Sequence, residues 1–383
     1  MSKEAGSSKL KTVLAAWGLV SIILIVFLLA TQAKGISTLF SVVGLIKSQS
    51  LTSIKTGDML TGAAAGIVDA LKDPYSQYLD VENREKLNER MSGEFGGIGV
   101  YILQDENGRL RLIAPIEGTP AYKIGVKHND IILQVDGESV INMNPDDVSV
   151  KLRGEPGTQV SLNVFRESSS QEYDFKINRE IISVPSVMAQ LVNGNNNMGY
   201  VRLSIFQSHS KNEMQEKIDK LLQENNIAGL ILDIRDNGGG DFDAATSIAS
   251  LFLNEEDIVV SVADAKGDKI VHKSNAGRYK IPLVVLVNGN SASASEILAG
   301  ALQDNNRAEL VGETTYGKGL VQTVYVLPDG GALKLTTAKY YTPNGNDIHE
   351  IGIVPDEQVA QPPDSDRDLQ LDKAVELLKA KIN

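Results

Sequence analysis

The chain has 383 residues, 37 basic and 49 acidic, with a net charge of −12 and no cysteine. That length is more than one hydrophobic core usually serves, so two or three folded units are expected, and the acidic balance without a long basic cluster speaks against nucleic acid as a partner. The missing cysteine excludes disulfides, thiolate nucleophiles and Cys-ligated metal sites, and the scattered His128, His209, His272 and His349 suggest neither a metal centre nor a metal cofactor.

In chain order, residues 1–12 carry Lys3, Lys9 and Lys11, and the uncharged run VLAAWGLVSIILIVFLLA then extends from Val13 to Ala30. With Thr31-Gln32-Ala33 this segment reaches about 20 residues, enough to cross a bilayer as a helix. The preceding lysines put residues 1–12 in the cytoplasm and the rest of the chain outside. The expectation is a single-pass protein of the cell membrane, anchored by residues 13–33, with its folded part extracytoplasmic. The alternative is a signal peptide cleaved near Thr31 and Ala33, although the apolar run is longer than the usual range of about 7 to 15 residues.

Residues 48–91 show helical spacing, as in MLTGAAAGIVDALKD, broken at Asp73-Pro74. Over 93–178 the pattern changes to short β-type runs such as GIGVYIL, DIILQVDG and QVSLNVFR, separated by turn dipeptides. A linker is expected near 178–185. From there to 362, strands and helices alternate, with LILDI and LVVLV apolar throughout, which predicts βαβ crossovers and a sheet buried on both faces. A C-terminal helix is expected within 363–383. The fold class read from this pattern is α/β plus a β-rich insert: a βαβ-containing core with an inserted β-rich unit, an N-terminal helical region and a transmembrane helix.

In the β-rich unit, Gly97-Ile98-Gly99-Val100 leads into a strand, so its backbone N–H groups can converge on an anionic chain end. Taken alone it also reads as a plain glycine turn. With Glu117-Gly118-Thr119-Pro120-Ala121, Asn129-Asp130-Ile131-Ile132 and Val135-Asp136-Gly137 behind it, the unit resembles a PDZ domain of the bacterial protease type. The resemblance implies that an extended peptide adds to a sheet edge, with its free carboxylate at the Gly97 loop and an apolar terminal side chain in a pocket. Arg153, on the turn Leu152-Arg153-Gly154, either reports occupancy of this unit or is an ordinary surface residue.

Two segments of the core suggest chemistry. Ser291-Ala292-Ser293-Ala294-Ser295-Glu296 follows the strand LVVLV, so a serine stands where strand gives way to helix; the plainer reading of Ser293 with Glu296 is a capping box. Gly312 to Lys318 matches G-x-x-x-x-G-K, but Gly319 supplies no hydroxyl for Mg²⁺ and a β-type run follows, so a nucleotide loop is not supported. Paired with the serine, Lys318 can serve as a general base if burial or positive potential makes its amine neutral. Gln322, four residues on along a strand-like run, is placed on the same face to orient it without adding charge. Glycine amides after the strand LDIRDNGGG are candidates for an oxyanion hole, with Gly239 N–H and Ala294 N–H chosen as the donors.

These motifs, with Tyr341-Thr342-Pro343-Asn344-Gly345 and Gly352-Ile353-Val354-Pro355-Asp356, resemble the C-terminal processing (tail-specific) serine proteases. The resemblance runs from about Gly57 to Asp356 and implies Ser293 as nucleophile, Lys318 as base, Gln322 as orienting group, Gly239 and Ala294 as oxyanion donors, and no cofactor. Gly238 departs from the proline usual in the family, which adds backbone freedom to that loop. The implied partners are proteins or peptides with free, apolar C-termini, and the helices at 48–91 and 369–382 are candidates for a homodimer contact, the alternative being plain surface helices. The alternatives are a noncatalytic membrane-tethered PDZ scaffold and a Ser-His-Asp hydrolase, the latter lacking a G-x-S-x-G elbow.

Overall fold

The computed structural model describes residues 34–362 and 365–382, and the chain divides after Tyr78 into two compact units. The span expected at 13–33 lies outside the described residues, and no helix among those described is long and apolar enough to cross a membrane. The first unit contains helix α1 (residues 34–49) and helix α2 (Thr56–Asp69). The Asp73 carboxylate then accepts the N–H of Tyr75 at 3.0 Å in a turn where Pro74 forbids further helix. A three-residue strand, β1 (Gln77–Leu79), spans the boundary.

The second unit opens on α3 (Val81–Ser92). Asp80 caps its start by accepting the Asn83 N–H at 2.8 Å, and Gly93, with φ 73°, closes its end in the left-handed conformation. The helical region expected over 48–91 is therefore shared by both units.

The β-rich part comprises β2 (Glu94–Gly97), β3 (Val100–Gln104), β4 (Leu110–Pro115), α4 (Pro120–Lys123), β5 (Ile131–Val135), β6 (Glu138–Ser139), α5 (Pro145–Leu152), β7 (Gln159–Arg166), β8 (Gln171–Asn178) and β9 (Glu180–Ser183). Strands β3, β4, β5, β7 and β8 form an antiparallel sheet in that order. Alternate residues of β7 (Val160, Leu162, Val164) pack with Ile98, Leu112 and Val148 into a core separate from the rest of the chain. Strands β2 and β9 pair antiparallel with Phe95 opposite Ile182, so the chain enters and leaves through one ribbon. The stretch expected to be a linker is thus partly strand, because burial of Ile182 fixes its register.

The remaining elements are β10 (Val187–Val192), β11 (Asn195–Leu203), α6 (Ser210–Asn225), β12 (Gly229–Asp233), α7 (Phe242–Ala249), β13 (Ile258–Asp264), β14 (Lys269–Lys273), β15 (Leu283–Val287), α8 (Ala294–Asp304), β16 (Glu309–Gly312), β17 (Leu320–Val326), β18 (Ala332–Tyr341), β19 (Glu357–Gln358) and α9 (Leu369–Ile382). A sheet in the order β10-β11-β12-β15-β16-β19, parallel except for β10, forms the centre. Leu230 and Leu232 of β12 and Val285 of β15 face α6, α7 and α8, whereas Ile231, Val284 and Leu286 face Ala374 and Leu378 of α9. Helices on both faces explain why these strands are apolar at every position. A second sheet joins β13 to β14 and β18, with β17 paired to β18.

Candidate active site

The C-terminal ends of β12 and β15 lie side by side, with Asp233 opposite Leu286, and the loops that leave them are hydrogen-bonded to each other. Asn237 O accepts from Ala292 N (3.0 Å) and from Ser295 Oγ (2.8 Å), and Ser291 Oγ donates to Ile234 O at 2.8 Å. Ser293 follows at φ 57° and ψ −113°, a conformation that costs a non-glycine residue about 1–3 kcal/mol and is retained only where the surroundings impose it. The bonds just named hold both flanks of that residue. Ser293 N–H donates to Glu296 Oε2 at 2.8 Å, one half of a capping box at the start of α8, and the Glu296 N–H goes to the Ser293 carbonyl at 2.8 Å.

Glu296 does more than end a helix. It is 1% exposed, and its two oxygens accept four hydrogen bonds: from Thr315 Oγ1 (2.6 Å) and Gly317 N (2.7 Å) on Oε1, and from Ser293 N (2.8 Å) and Lys318 N (2.9 Å) on Oε2. One buried carboxylate therefore joins the serine turn to the lysine loop. Burying it is costly unless its oxygens are paired, and these four donors meet that need. Tyr340 approaches the same two segments with its hydroxyl, 3.0 Å from Ser293 O and 2.6 Å from Lys318 O. Burial pushes this phenol well above the usual tyrosine range, with the Glu296 carboxylate adding to the effect, so the hydroxyl keeps its proton.

Ser293, Ala294, Lys318 and Gln322 line one cavity of about 310 Å³, together with Gly238, Gly240, Leu320, Tyr340 and, from α3, Leu87, Arg90 and Met91. Gln322 reaches it by a different route from simple strand alternation. Lys318 precedes β17, and the pairing of β17 with β18 shifts register between Val321 and Gln322, an irregularity that re-aims the glutamine side chain. Among the described residues, Gln322 Nε2 is buried without a hydrogen-bond partner. The α3 wall is secured at its C-terminal end, where Gln207 Nε2 donates to Arg90 O (3.3 Å) and His209 Nδ1 lies 3.0 Å from Ser92 O.

The two expected oxyanion donors differ in state. Ala294 lines the cavity, whereas the Gly239 N–H donates to Asn237 Oδ1 at 2.9 Å within its own loop. Gly239 has φ 98° and lies against the serine turn, since a Cβ there would stand 2.7 Å from Ala292 O and 3.0 Å from Ala294 N. Sequence reasoning assigned Gly239 by motif, read Glu296 only as a cap, and gave no part to Tyr340 or Asn237; their positions within the S-A-S-A-S-E, K-Y-Y-T-P and D-N-G-G motifs were the available signals.

A second cavity, of about 280 Å³, opens between β3 and α5 and is lined by Gly97, Ile98, Gly99, Val100, Ile116, Leu152 and Arg153. All four residues expected to hold a peptide end therefore belong to one groove. Gly99, at φ 78°, has no room for a Cβ because Thr119 lies 2.4 Å from where it would sit. The Arg153 guanidinium lies over the Phe95 ring at 4.5 Å and bonds Glu89 Oε2 of α3 at 2.6 Å. It thus touches the helix whose Leu87, Arg90 and Met91, on either side of Glu89, wall the first cavity.

A doubly covered α/β core carrying a serine turn, with an inserted five-stranded unit and its own peptide-sized groove, defines a PDZ-containing protease architecture. Comparison with known proteins agrees: the chain matches peptidase family S41 over residues 197–359, a PDZ domain over 113–166 and the N-terminal domain of the activating protease CtpB over 30–83. It is 40% identical over 295 residues to the carboxyl-terminal-processing protease of Synechocystis, covering 76% of this chain and 69% of that one. With the corresponding protease of Picosynechococcus it shares 38% identity over 333 residues, 85% of this chain and 80% of the relative. For the carboxy-terminal-processing protease of Bartonella bacilliformis the values are 37% over 322 residues, 83% and 73%. The chain belongs to the S41 family of carboxyl-terminal-processing proteases.

Proposed function

We propose that this protein is a membrane-anchored, extracytoplasmic serine endopeptidase that selects substrates by their free C-terminal tails through its PDZ domain and cuts them with a Ser293/Lys318 dyad. The observation that carries the reading is the convergence of Ser293, Lys318, Gln322 and Ala294 on one cavity from separate segments, with the serine backbone held in a strained turn. In the proposed reaction, uncharged Lys318 takes the proton of Ser293 as Oγ attacks the peptide carbonyl carbon. The Ala294 N–H, joined by the Gly239 N–H once it leaves Asn237 Oδ1, receives the oxyanion. Lys318 then returns the proton to the leaving amine, and an acyl-enzyme remains; water attacks its carbonyl as Lys318 takes the water proton, and Lys318 passes that proton to Ser293 Oγ as the acyl bond breaks and the acid product leaves. Gln322 orients the amine without a charge that would favour its ammonium form. The groove at Gly97 to Val100 suits an extended tail ending in an apolar residue, and the anchor at 13–33 and a homodimer built through the terminal helices complete the proposal.

The test is cleavage of an unfolded protein by purified Ser293→Ala. Loss of all cleavage is expected, with PDZ binding of a free-acid peptide intact. Residual cleavage at the wild-type rate would refute the nucleophile and leave the tethered scaffold as the better reading.

A further inference from the structure

The Ser293 and Lys318 segments are connected twice, and the second connection runs through the hydroxyl of Tyr340, whose ring belongs to the core. We propose that Tyr340 is a positioning residue for the Ser293–Lys318 pair, its hydroxyl fastening the main chain of both; the proposal rests on the reading of those residues as nucleophile and base.

A buried tyrosine hydroxyl needs one hydrogen-bond partner, and any nearby carbonyl suffices. Tyr340, 1% exposed, instead places Oη within 2.6 Å of Lys318 O and 3.0 Å of Ser293 O. The Ser293 carbonyl has no need of it, because it already accepts from Glu296 N (2.8 Å) and Ile297 N (3.0 Å). The single hydroxyl proton therefore goes chiefly to Lys318 O, the shorter contact, while Ser293 O marks where that donor must stand. The backbone of the same tyrosine holds the lysine loop as well, its N–H donating to Gly319 O at 3.0 Å.

Glu296 supplies the complement. Its Oε2 takes the N–H of Ser293 and the N–H of Lys318, and Tyr340 contacts the carbonyls of the same two residues. Glu296 on α8 and Tyr340 on β18 thereby engage both N–H groups and the Lys318 carbonyl, while the Ser293 carbonyl, held by the first turn of α8, stands in contact with the same hydroxyl. The separation of the two Cα atoms is fixed by this frame and not by the flexible lysine side chain. That matters because base and nucleophile must come within about 2.6–3.2 Å in the reacting complex, and a misplacement of about 1 Å costs on the order of 100-fold in rate.

Tyr340→Phe removes the hydroxyl and keeps the ring. The experiment compares wild type, Ser293→Ala, Tyr340→Phe and the control Tyr325→Phe, whose ring is half-exposed on β17, in steady-state cleavage of a peptide substrate and in time courses of labelling by a fluorophosphonate probe. For Tyr340→Phe the expected result is a kcat lowered roughly 10- to 100-fold, KM within about twofold of wild type, and a labelling rate constant lowered in parallel while the final labelling stoichiometry stays whole. Tyr325→Phe is expected to match wild type. A purely structural role would lower the stoichiometry with the fraction folded and leave the rate constant of the labelled molecules unchanged, and that outcome, or a variant that does not fold, overturns the proposal. So does a kcat within threefold of wild type. Undiminished cleavage by Ser293→Ala would instead sink the parent reading and this one with it, whereas an inactive Ser293→Ala beside a fully active Tyr340→Phe sinks this one alone.

Discussion

Glu296→Gln is the substitution for which the structure gives the most definite expectation. The side chain keeps its shape, but one acceptor oxygen becomes an amide that can only donate. The cheaper orientation turns this amide toward Thr315 and Gly317, because the Thr315 hydroxyl can rotate to accept, whereas Ser293 N and Lys318 N can do nothing but donate. Even so the buried Gly317 N–H is orphaned, at about 1–3 kcal/mol, and the surviving bonds lose charge assistance of roughly 0.5–1 kcal/mol each. The sum is about 2–5 kcal/mol, which for a unit running from Leu79 to Asn383 lowers the melting temperature by roughly 3–8 °C. Because the lost bonds join the serine turn to the lysine loop, turnover should fall more steeply than stability, at temperatures where the variant is still folded. Differential scanning calorimetry and peptide cleavage at 20 °C measure the two quantities. A variant melting within 2 °C of wild type with undiminished kcat would show that the four contacts carry no net energy and that the carboxylate does not hold the site together.

Three further outcomes follow from the same geometry. Gly239→Ala places a Cβ 2.7 Å from Ala292 O at a residue with φ 98°, so the loop must move; kcat should drop about 10²–10³-fold, the value of one oxyanion donor, while calorimetric peptide binding to the PDZ groove is unchanged. Activity that needs a neutral lysine should be lost toward acid pH and rise through mildly alkaline pH, and Lys318→Arg should be as inactive as Lys318→Ala in a pH–rate series, since arginine does not deprotonate. Asp368 reports on stability: burial alone would raise its pKa, but the Arg235 guanidinium, bonded through both its oxygens at 2.8 Å, holds it below the usual carboxylate range. A depressed folded value means that this pair stabilises above about pH 4, the unfolded value, and that the contribution is lost as pH falls through the lower folded value. Asp368→Asn should therefore cost about 1 kcal/mol at neutral pH, after allowance for partial exposure, and flatten the acid limb of a melting-temperature series.

The local rules were written clearly in this chain. Full apolarity of LILDI and LVVLV announced strands covered on both faces, Asp73-Pro74 marked a break, and glycines at 97 and 99 marked a loop whose amides can face a ligand, because each of these features is a property of a few consecutive residues. The motifs were equally local, so Ser293, Lys318 and Gln322, which line one cavity, could be singled out as candidates without coordinates. What the sequence could not contain is which hydrogen-bonding group meets which across long separations. Glu296 looked like a cap because its nearest partner, Ser293, is three residues away, while its other partners lie on a loop that only the pairing of β15 with β16 brings alongside. Tyr340 stands on a strand that reaches the site through the second sheet, the Ile182 segment became a strand because Phe95 was there to pair with it, and the engagement of the Gly239 N–H by Asn237 depends on a turn closed by neighbouring loops. Periodicity and propensity fix the elements; long-range pairing decides which carboxylate, hydroxyl and amide share a site, because each such bond depends on positions that distant parts of the chain set together.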